Sequence, residues 1–163
     1  MKGSETRLVA YMQGTNNRFV IPVYQRSYTW KTENCKQLFD DLIKVVREHR
    51  KSHFFGSIVS VHNPDAEGGH NEFLVIDGQQ RLTTMYLILN QQKSLLEQIY
   101  PDMKLFNLSY QSRPDSRQYL ENIDSTKSNS NIDYYHMFNA SAVITDFLKK
   151  TTLGGWRFVD AIV

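Results

Sequence analysis

A single cysteine, Cys35, stands among the 163 residues of the chain. One thiol closes no internal disulfide and supplies no Cys-based zinc site, and it fits a reducing, cytoplasmic setting. No stretch approaches the run of about 20 apolar residues that spans a bilayer. The segment from Met1 to Ala10 is polar and mixed in charge, without the apolar stretch of a secretory signal. Charge of one sign is scarce as well: 19 Lys and Arg against 17 Asp and Glu leave a formal +2. That balance gives no electrostatic footprint for broad nucleic-acid binding, so any basic site is local. The glycine spacing and lysine of a Walker loop are missing. So are a defensible Ser-His-Asp arrangement and paired carboxylates at a compelling spacing.

What remains is an ordinary globular composition, 40% apolar and 22% charged. The length suits one domain, or one domain with an appended helical piece, with a core that needs no disulfide staples. The chain stops on Trp156-Arg157-Phe158-Val159-Asp160-Ala161-Ile162-Val163, where a terminus is ordinarily polar and frayed. The expectation is a piece of a longer protein.

Hydrophobic spacing predicts a short helix over 5–13 and a strand from Arg18 to Ile21 ended by Pro22. A helix over 33–49 follows, with Thr32 as N-cap, Glu33 in the first turn and an apolar stripe of Cys35, Leu38, Leu42, Val45 and His49. Phe54 to Val61 and Glu72 to Ile76 read as strands of a hairpin, joined by a loop from His62 to Asn71. A long helix over 79–100 is apolar all round from Met85 to Leu89, which predicts a central, buried element. Pro101 stops it. Lys104 to Leu108 reads as a strand, Glu121 to Asn131 as a polar, mobile link, and 131–150 as a last helix with Met137, Ala140, Ile144 and Leu148 inward. Gly154-Gly155 closes that helix.

The sharpest chemical feature is Asp77-Gly78-Gln79-Gln80-Arg81-Leu82-Thr83-Thr84 at a strand-to-helix junction. The first amides of a helix lack partners and carry the positive end of its dipole, so an anion, typically phosphate, sits well there. Gly78 lets backbone approach a ligand, and Arg81 can fork onto a phosphate. Asp77 can hold magnesium, cap the helix or orient Arg81. The plainer reading makes Asp77 a cap and the glutamines surface residues. A second feature, Ile21-Pro22-Val23-Tyr24-Gln25-Arg26-Ser27-Tyr28-Thr29-Trp30, sets Gln and Arg among large aromatics, suited to stacking a base and holding a phosphate. The plainer reading is a loop whose aromatics fill the core while Arg26 reaches solvent. Two Gln-Arg pairs, each after a strand, favour a shared polar site. In a third stretch, His53 precedes Gly56 and Ser57; a lone histidine is more often structural than functional. His62 and His70, with Asp65 and Glu67 between them, match no standard zinc spacing, and no metal site is expected there. Cys35, on a helical stripe, reads as a core residue.

Together, Ile21–Trp30, His53-Phe54-Phe55-Gly56-Ser57-Ile58 and Ile76–Thr84 occur in the order of a known family. They resemble the N-terminal domain of GmrSD-type restriction proteins, a large bacterial family with a ParB/sulfiredoxin-like fold that includes phosphorothioation-sensing defence proteins. The likeness is strong over 18–90 and loose from there to Phe147. It implies an α/β (α+β) domain: a small mixed sheet packed by helices as a nucleotide-binding core over 1–110, with a helical extension over 111–163. It implies binding and hydrolysis of a nucleoside triphosphate with Mg²⁺, in support of a nuclease that cuts modified or foreign DNA. Carried over, Asp77, Gln79, Gln80 and Arg81 form the hydrolytic centre. Tyr24, Gln25, Arg26, His53, Gly56, Ser57, Gly78 and Thr83 line the nucleotide site. The sulfiredoxin cysteine has no counterpart near Gly56 and Ser57, so redox repair is not expected. The HNH-type nuclease half is absent and is implied as a partner domain through which the full protein meets DNA. Three rivals stand beside this reading. They are a non-hydrolytic switch, a DNA-binding scaffold using Arg26, Arg47, Arg50 and Lys51, and a ParB-like nicking domain dependent on Asp77.

Overall fold

A computed structural model of the chain describes residues 17–48, 56–69, 71–102 and 105–150. The expected helix over 5–13, His53, His70, Arg50, Lys51 and the apolar ending at Val163 lie outside the described residues. Four strands form one mixed sheet: β1 (Asn17–Ile21), β2 (Val59–Asn63), β3 (Asn71–Asp77) and β4 (Asn107–Tyr110), in the order β2-β3-β1-β4. β1 runs parallel to β3 and to β4, while β2 and β3 form the expected antiparallel hairpin. Around the sheet lie α1 (Thr32–Arg47), α2 (Gln79–Gln91), α3 (Lys93–Ile99), α4 (Ser116–Glu121) and α5 (Ile132–Lys150). The class is therefore α/β, a small mixed sheet with helices, as the sequence implies.

Alternation puts Phe19 and Ile21 of β1, Val75 of β3, and Leu108 and Tyr110 of β4 into the interior. There the sheet meets α2, whose Leu82 to Leu89 are buried without a gap, the central helix that its all-round apolar run predicts. Phe106 joins the two layers, its ring edge-on to Tyr86 at 5.4 Å and to Phe19 at 6.2 Å. α5 lays Met137, Ala140 and Ile144 into the same core. Phe39 of α1 meets Phe147 of α5 at 5.1 Å, so α1 and α5 pack together.

Several boundaries depart from expectation, each for a local reason. Thr32 is the first helical residue and Lys31 the N-cap; the Asn34 side chain accepts from the Lys31 N–H at 3.0 Å. The buried stripe of α1 is Cys35, Leu38, Phe39, Leu42 and Val46, with Val45 only half-buried, because a 3.6-residue period carries the face from 42 to 46. β2 starts at Val59, since the ladder ends where Val59 pairs with Asp77 and the chain leaves the sheet at Gly78. It runs on to Asn63, and a single 3₁₀ turn at Glu67–Gly69 completes the hairpin loop.

The expected helix over 79–100 is two helices. Gln92 breaks it (φ −103°, ψ 13°), its N–H turning to Leu89 O at 3.1 Å. Its polar neighbours are drawn outward, Asn90 to Leu120 O and Gln91 to Ser141 O. β4 covers 107–110 because it takes its register from β1, Arg18 opposite Asn107 and Ile21 opposite Tyr110. The short helix α4 carries no periodic signal of its own. Beyond it, Asp124 accepts from the backbone of Thr126 and Lys127 and organises the polar link as a turn. No helix among the described residues is long and apolar enough to cross a membrane.

Candidate functional site

β3 delivers the chain to α2 through one residue, Gly78, at φ +90° and ψ 11°. A side chain is disfavoured there twice over. The backbone is left-handed, and a Cβ would lie 2.8 Å from the Ser57 carbonyl oxygen and 3.2 Å from the Ile58 Cα. The sharp reversal aims the start of α2 at the 56–58 segment. Asp77 Oδ1 accepts from the Gly78 N–H at 2.9 Å. It caps its own turn and leaves the helix amides beyond it alone. The first intrahelical bond is Leu82 N–H to Gly78 O at 2.9 Å. Among the described residues, no side chain accepts from the N–H groups of Gln79, Gln80 or Arg81. These are the donors that the start of a helix leaves without intrahelical partners.

Arg81 folds back over Gly56. Its terminal nitrogen donates to Ser57 O at 2.9 Å, while its Nε is buried with no hydrogen-bond partner among the described residues. Gly56 is at φ +118°, and a Cβ on it would stand 2.6 Å from the Arg81 Cζ. Protein groups thus use the close approach at both glycines: Arg81 fills the space beside Gly56, and Ser57 and Ile58 the space beside Gly78. Asp77 is exposed at the rim. Among the described residues, no three His, Cys, Asp or Glu side chains gather as a metal site would need.

The two glutamines differ. Gln80, 6% exposed, grips the loop before α1: its Oε1 accepts from the Thr29 N–H at 2.9 Å and its Nε2 donates to Ser27 O at 2.8 Å. Gln79 is as deeply set, yet its side chain makes no hydrogen bond among the described residues. Thr83 points the other way, fully buried, its hydroxyl bonded to the Tyr110 hydroxyl at 2.6 Å. It lies in the layer between α2 and the sheet.

The Pro22–Lys31 loop reaches the same end of α2. Gln25 donates to Ile76 O at 2.9 Å, one residue before Asp77. Tyr24 and Arg26 are exposed beside it, Tyr24 at 68%. Tyr28 is wholly buried; its hydroxyl meets Thr84 Oγ1 at 2.8 Å, and burial holds its phenol well above the usual tyrosine range. The structure therefore draws Gln25, Gly56, Ser57, Asp77, Gly78, Gln79, Gln80 and Arg81 together, with Tyr24 and Arg26 on the adjoining surface. Sequence reasoning missed Asp133, 1% exposed on α5, which accepts from the Tyr28 N–H at 2.8 Å and from Arg113 Nε at 3.1 Å. Its one signal was an acidic residue in the first turn of that helix, four residues before the inward-facing Met137.

Two Gln-Arg pairs, from segments 51 residues apart at the Gln25–Ile76 contact, thus converge on one glycine-turned helix start. The motifs responsible are those whose order resembles the GmrSD-type proteins. No curated protein matches the chain. The family model described as the GmrSD restriction endonuclease, N-terminal domain, matches residues 9–152. That span takes in every element described above and most of the chain, and the chain belongs to the GmrSD restriction endonuclease family as an N-terminal domain.

Proposed function

We propose that the start of α2 binds the phosphates of a nucleoside triphosphate, and that hydrolysis there supports DNA cleavage by the larger restriction protein to which such a domain belongs. One arrangement carries the reading. Among the described residues no side chain caps the start of α2, and the Arg81 Nε is buried without a hydrogen-bond partner, so a phosphate would offer acceptors to donors that are otherwise left wanting. Arg81 supplies charge at the phosphates, and exposed Arg26 adds to it from the loop. Gln80 is committed to Ser27 and Thr29. Gln79 is therefore the side chain free to orient an attacking water, as glutamine does in GTPases. Asp77 Oδ2 would hold a hydrated Mg²⁺, which would neutralise phosphate charge. Tyr24 offers an exposed ring for a base.

The test is a thermal-shift series with each of the four common nucleoside triphosphates and Mg²⁺, followed by phosphate release. A ligand that binds the native state alone raises the melting temperature. At least one nucleotide is expected to do so, and Arg81→Ala to abolish both the shift and the release. No shift with any nucleotide overturns the reading. A shift without phosphate release removes the hydrolytic step and leaves a nucleotide-bound switch.

A further inference from the structure

We propose that Asp133 is a positioning residue: from the last helix it sets the Tyr24–Arg26 loop against the start of α2, and through that loop governs affinity at the nucleotide site. The inference rests on the nucleotide reading above. The Pro22–Lys31 loop has little regular structure of its own beyond the turn closed by Gln25 N–H to Pro22 O at 3.0 Å. It is held from outside instead. Gln80, Thr84 and Ile76 O grip it from the elements that build the site. The Val23 N–H finds Gln111 Oε1 at 3.2 Å at the rim. Among the described residues, Asp133 is the one that hydrogen-bonds it from α5, accepting from the backbone N–H of Tyr28, 105 residues earlier in the chain.

A carboxylate this deeply buried is costly unless both oxygens are used. Both are: Oδ1 takes the Tyr28 N–H and Oδ2 the Arg113 Nε. Arg113 is in turn seated in the turn after β4, its N–H bonded to Tyr110 O at 2.9 Å. Arg113 answers the charge from the turn after β4, and the other oxygen reaches the loop. That oxygen fixes the backbone two residues beyond Arg26. Tyr28 is anchored at its backbone by Asp133 and at its hydroxyl by Thr84, so Asp133 shares with the site's own elements in setting the exposed residues ahead of it. Any movement of α5 that shifts Asp133 is therefore carried to Tyr24 and Arg26.

The experiment compares the wild-type chain with Asp133→Ala, Asp133→Glu and Asp133→Asn, each well below its melting temperature. The readouts are hydrogen-exchange mass spectrometry and affinity for the nucleoside triphosphate. Ala removes the acceptor. Glu keeps the charge facing Arg113 but displaces the acceptor by a methylene, and so remains informative if Ala does not fold. Asn keeps an oxygen for the Tyr28 N–H. Ala and Glu are expected to speed exchange in 22–31 while β3 and α2 stay protected, and to weaken nucleotide binding about tenfold, an ordinary coupling between linked sites. Asn, whose Nδ2 cannot accept from Arg113 Nε, is expected to recover protection and affinity in part, beyond Ala and Glu. Wild-type exchange in 22–31 for Ala or Glu, or exchange raised evenly through the domain, overturns the proposal. So does unchanged affinity despite a loosened loop. A wild-type chain that binds no nucleotide sinks the nucleotide reading instead, and the exchange pattern alone then decides whether Asp133 sets the loop.

Discussion

Gly78→Ala puts the geometry of the strand-to-helix turn to a quantitative test. Two penalties add. An L-residue held in the left-handed region is disfavoured by about 1–2 kcal/mol. The new methyl would also stand 2.8 Å from the Ser57 carbonyl oxygen and 3.1 Å from Ile58 Cγ1. Backbone cannot swing aside as a side chain can, and overpacking of that kind typically adds about 1–3 kcal/mol. Together they predict a loss of about 2–5 kcal/mol, or about 5–15 °C in melting temperature for a domain of this size. Urea unfolding followed by circular dichroism measures it. The companion variant Gly56→Ala separates the two causes. There the obstruction is the tip of Arg81, at 2.6 to 2.9 Å, and a flexible side chain can move. The backbone strain at φ +118° remains, but the clash is relieved by displacing Arg81. Gly56→Ala combined with Arg81→Ala should then destabilise by less than the sum of the single changes, because neighbours that share a clash are not additive. A loss below about 1 kcal/mol for Gly78→Ala, or strict additivity at Gly56 and Arg81, would refute the close-approach account of this turn.

Two further outcomes follow from the same groups. Gln80→Ala leaves the Thr29 N–H and Ser27 carbonyl without their partner, which predicts a loss of about 1–3 kcal/mol in urea unfolding; a change under about 0.5 kcal/mol would show that water takes over both bonds. Alkaline conditions should weaken the fold. Burial pushes the Cys35 thiol from 9.0 up to about 11 and raises the phenols of Tyr28 and Tyr110 well above 10.0. The unfolded chain therefore releases these protons first and binds fewer of them than the native state. Stability is at its plateau below about pH 8 and falls as pH rises past 9.0 for the thiol and 10.0 for the phenols, each group contributing up to about 1.4 kcal/mol per pH unit. Urea midpoints from pH 7 to 11 follow this directly, and a flat profile would contradict the burial of these groups.

The helices were the most legible elements. The spacing of Cys35, Leu38 and Leu42, and that of Met137, Ala140 and Ile144, marks faces that the structure buries, because a helical period is written locally. The hairpin was legible too, since two apolar runs flank a loop rich in turn residues. The motif at 76–84 announced a glycine turn into a helix, and that is what forms. What stayed hidden depends on contacts between distant residues. The break at Gln92 needs Leu120 and Ser141 to draw the neighbouring side chains outward. The span of β4 needs β1 as its template. The division of labour between Gln79 and Gln80 needs Ser27 and Thr29 to be in place, and the burial of Thr83 needs Tyr110 behind it.

The sequence by itself therefore determined the class of the domain, its family, and the chemical kinds of group that meet at the turn after β3. It did so because periodicity and glycine chemistry act within a few residues of one another, and the order of motifs is read along the chain without any fold. Tertiary structure alone decided which of those groups are free and which are spent. It put Arg81 over Gly56, tied Gln80 to a loop 53 residues earlier at the Ser27 carbonyl, and sent Asp133 across from the last helix to hold Tyr28. A hydrogen bond is local in space and blind to separation along the chain. Only the packed fold, which brings residues 28, 84 and 133 to one place, could make those choices.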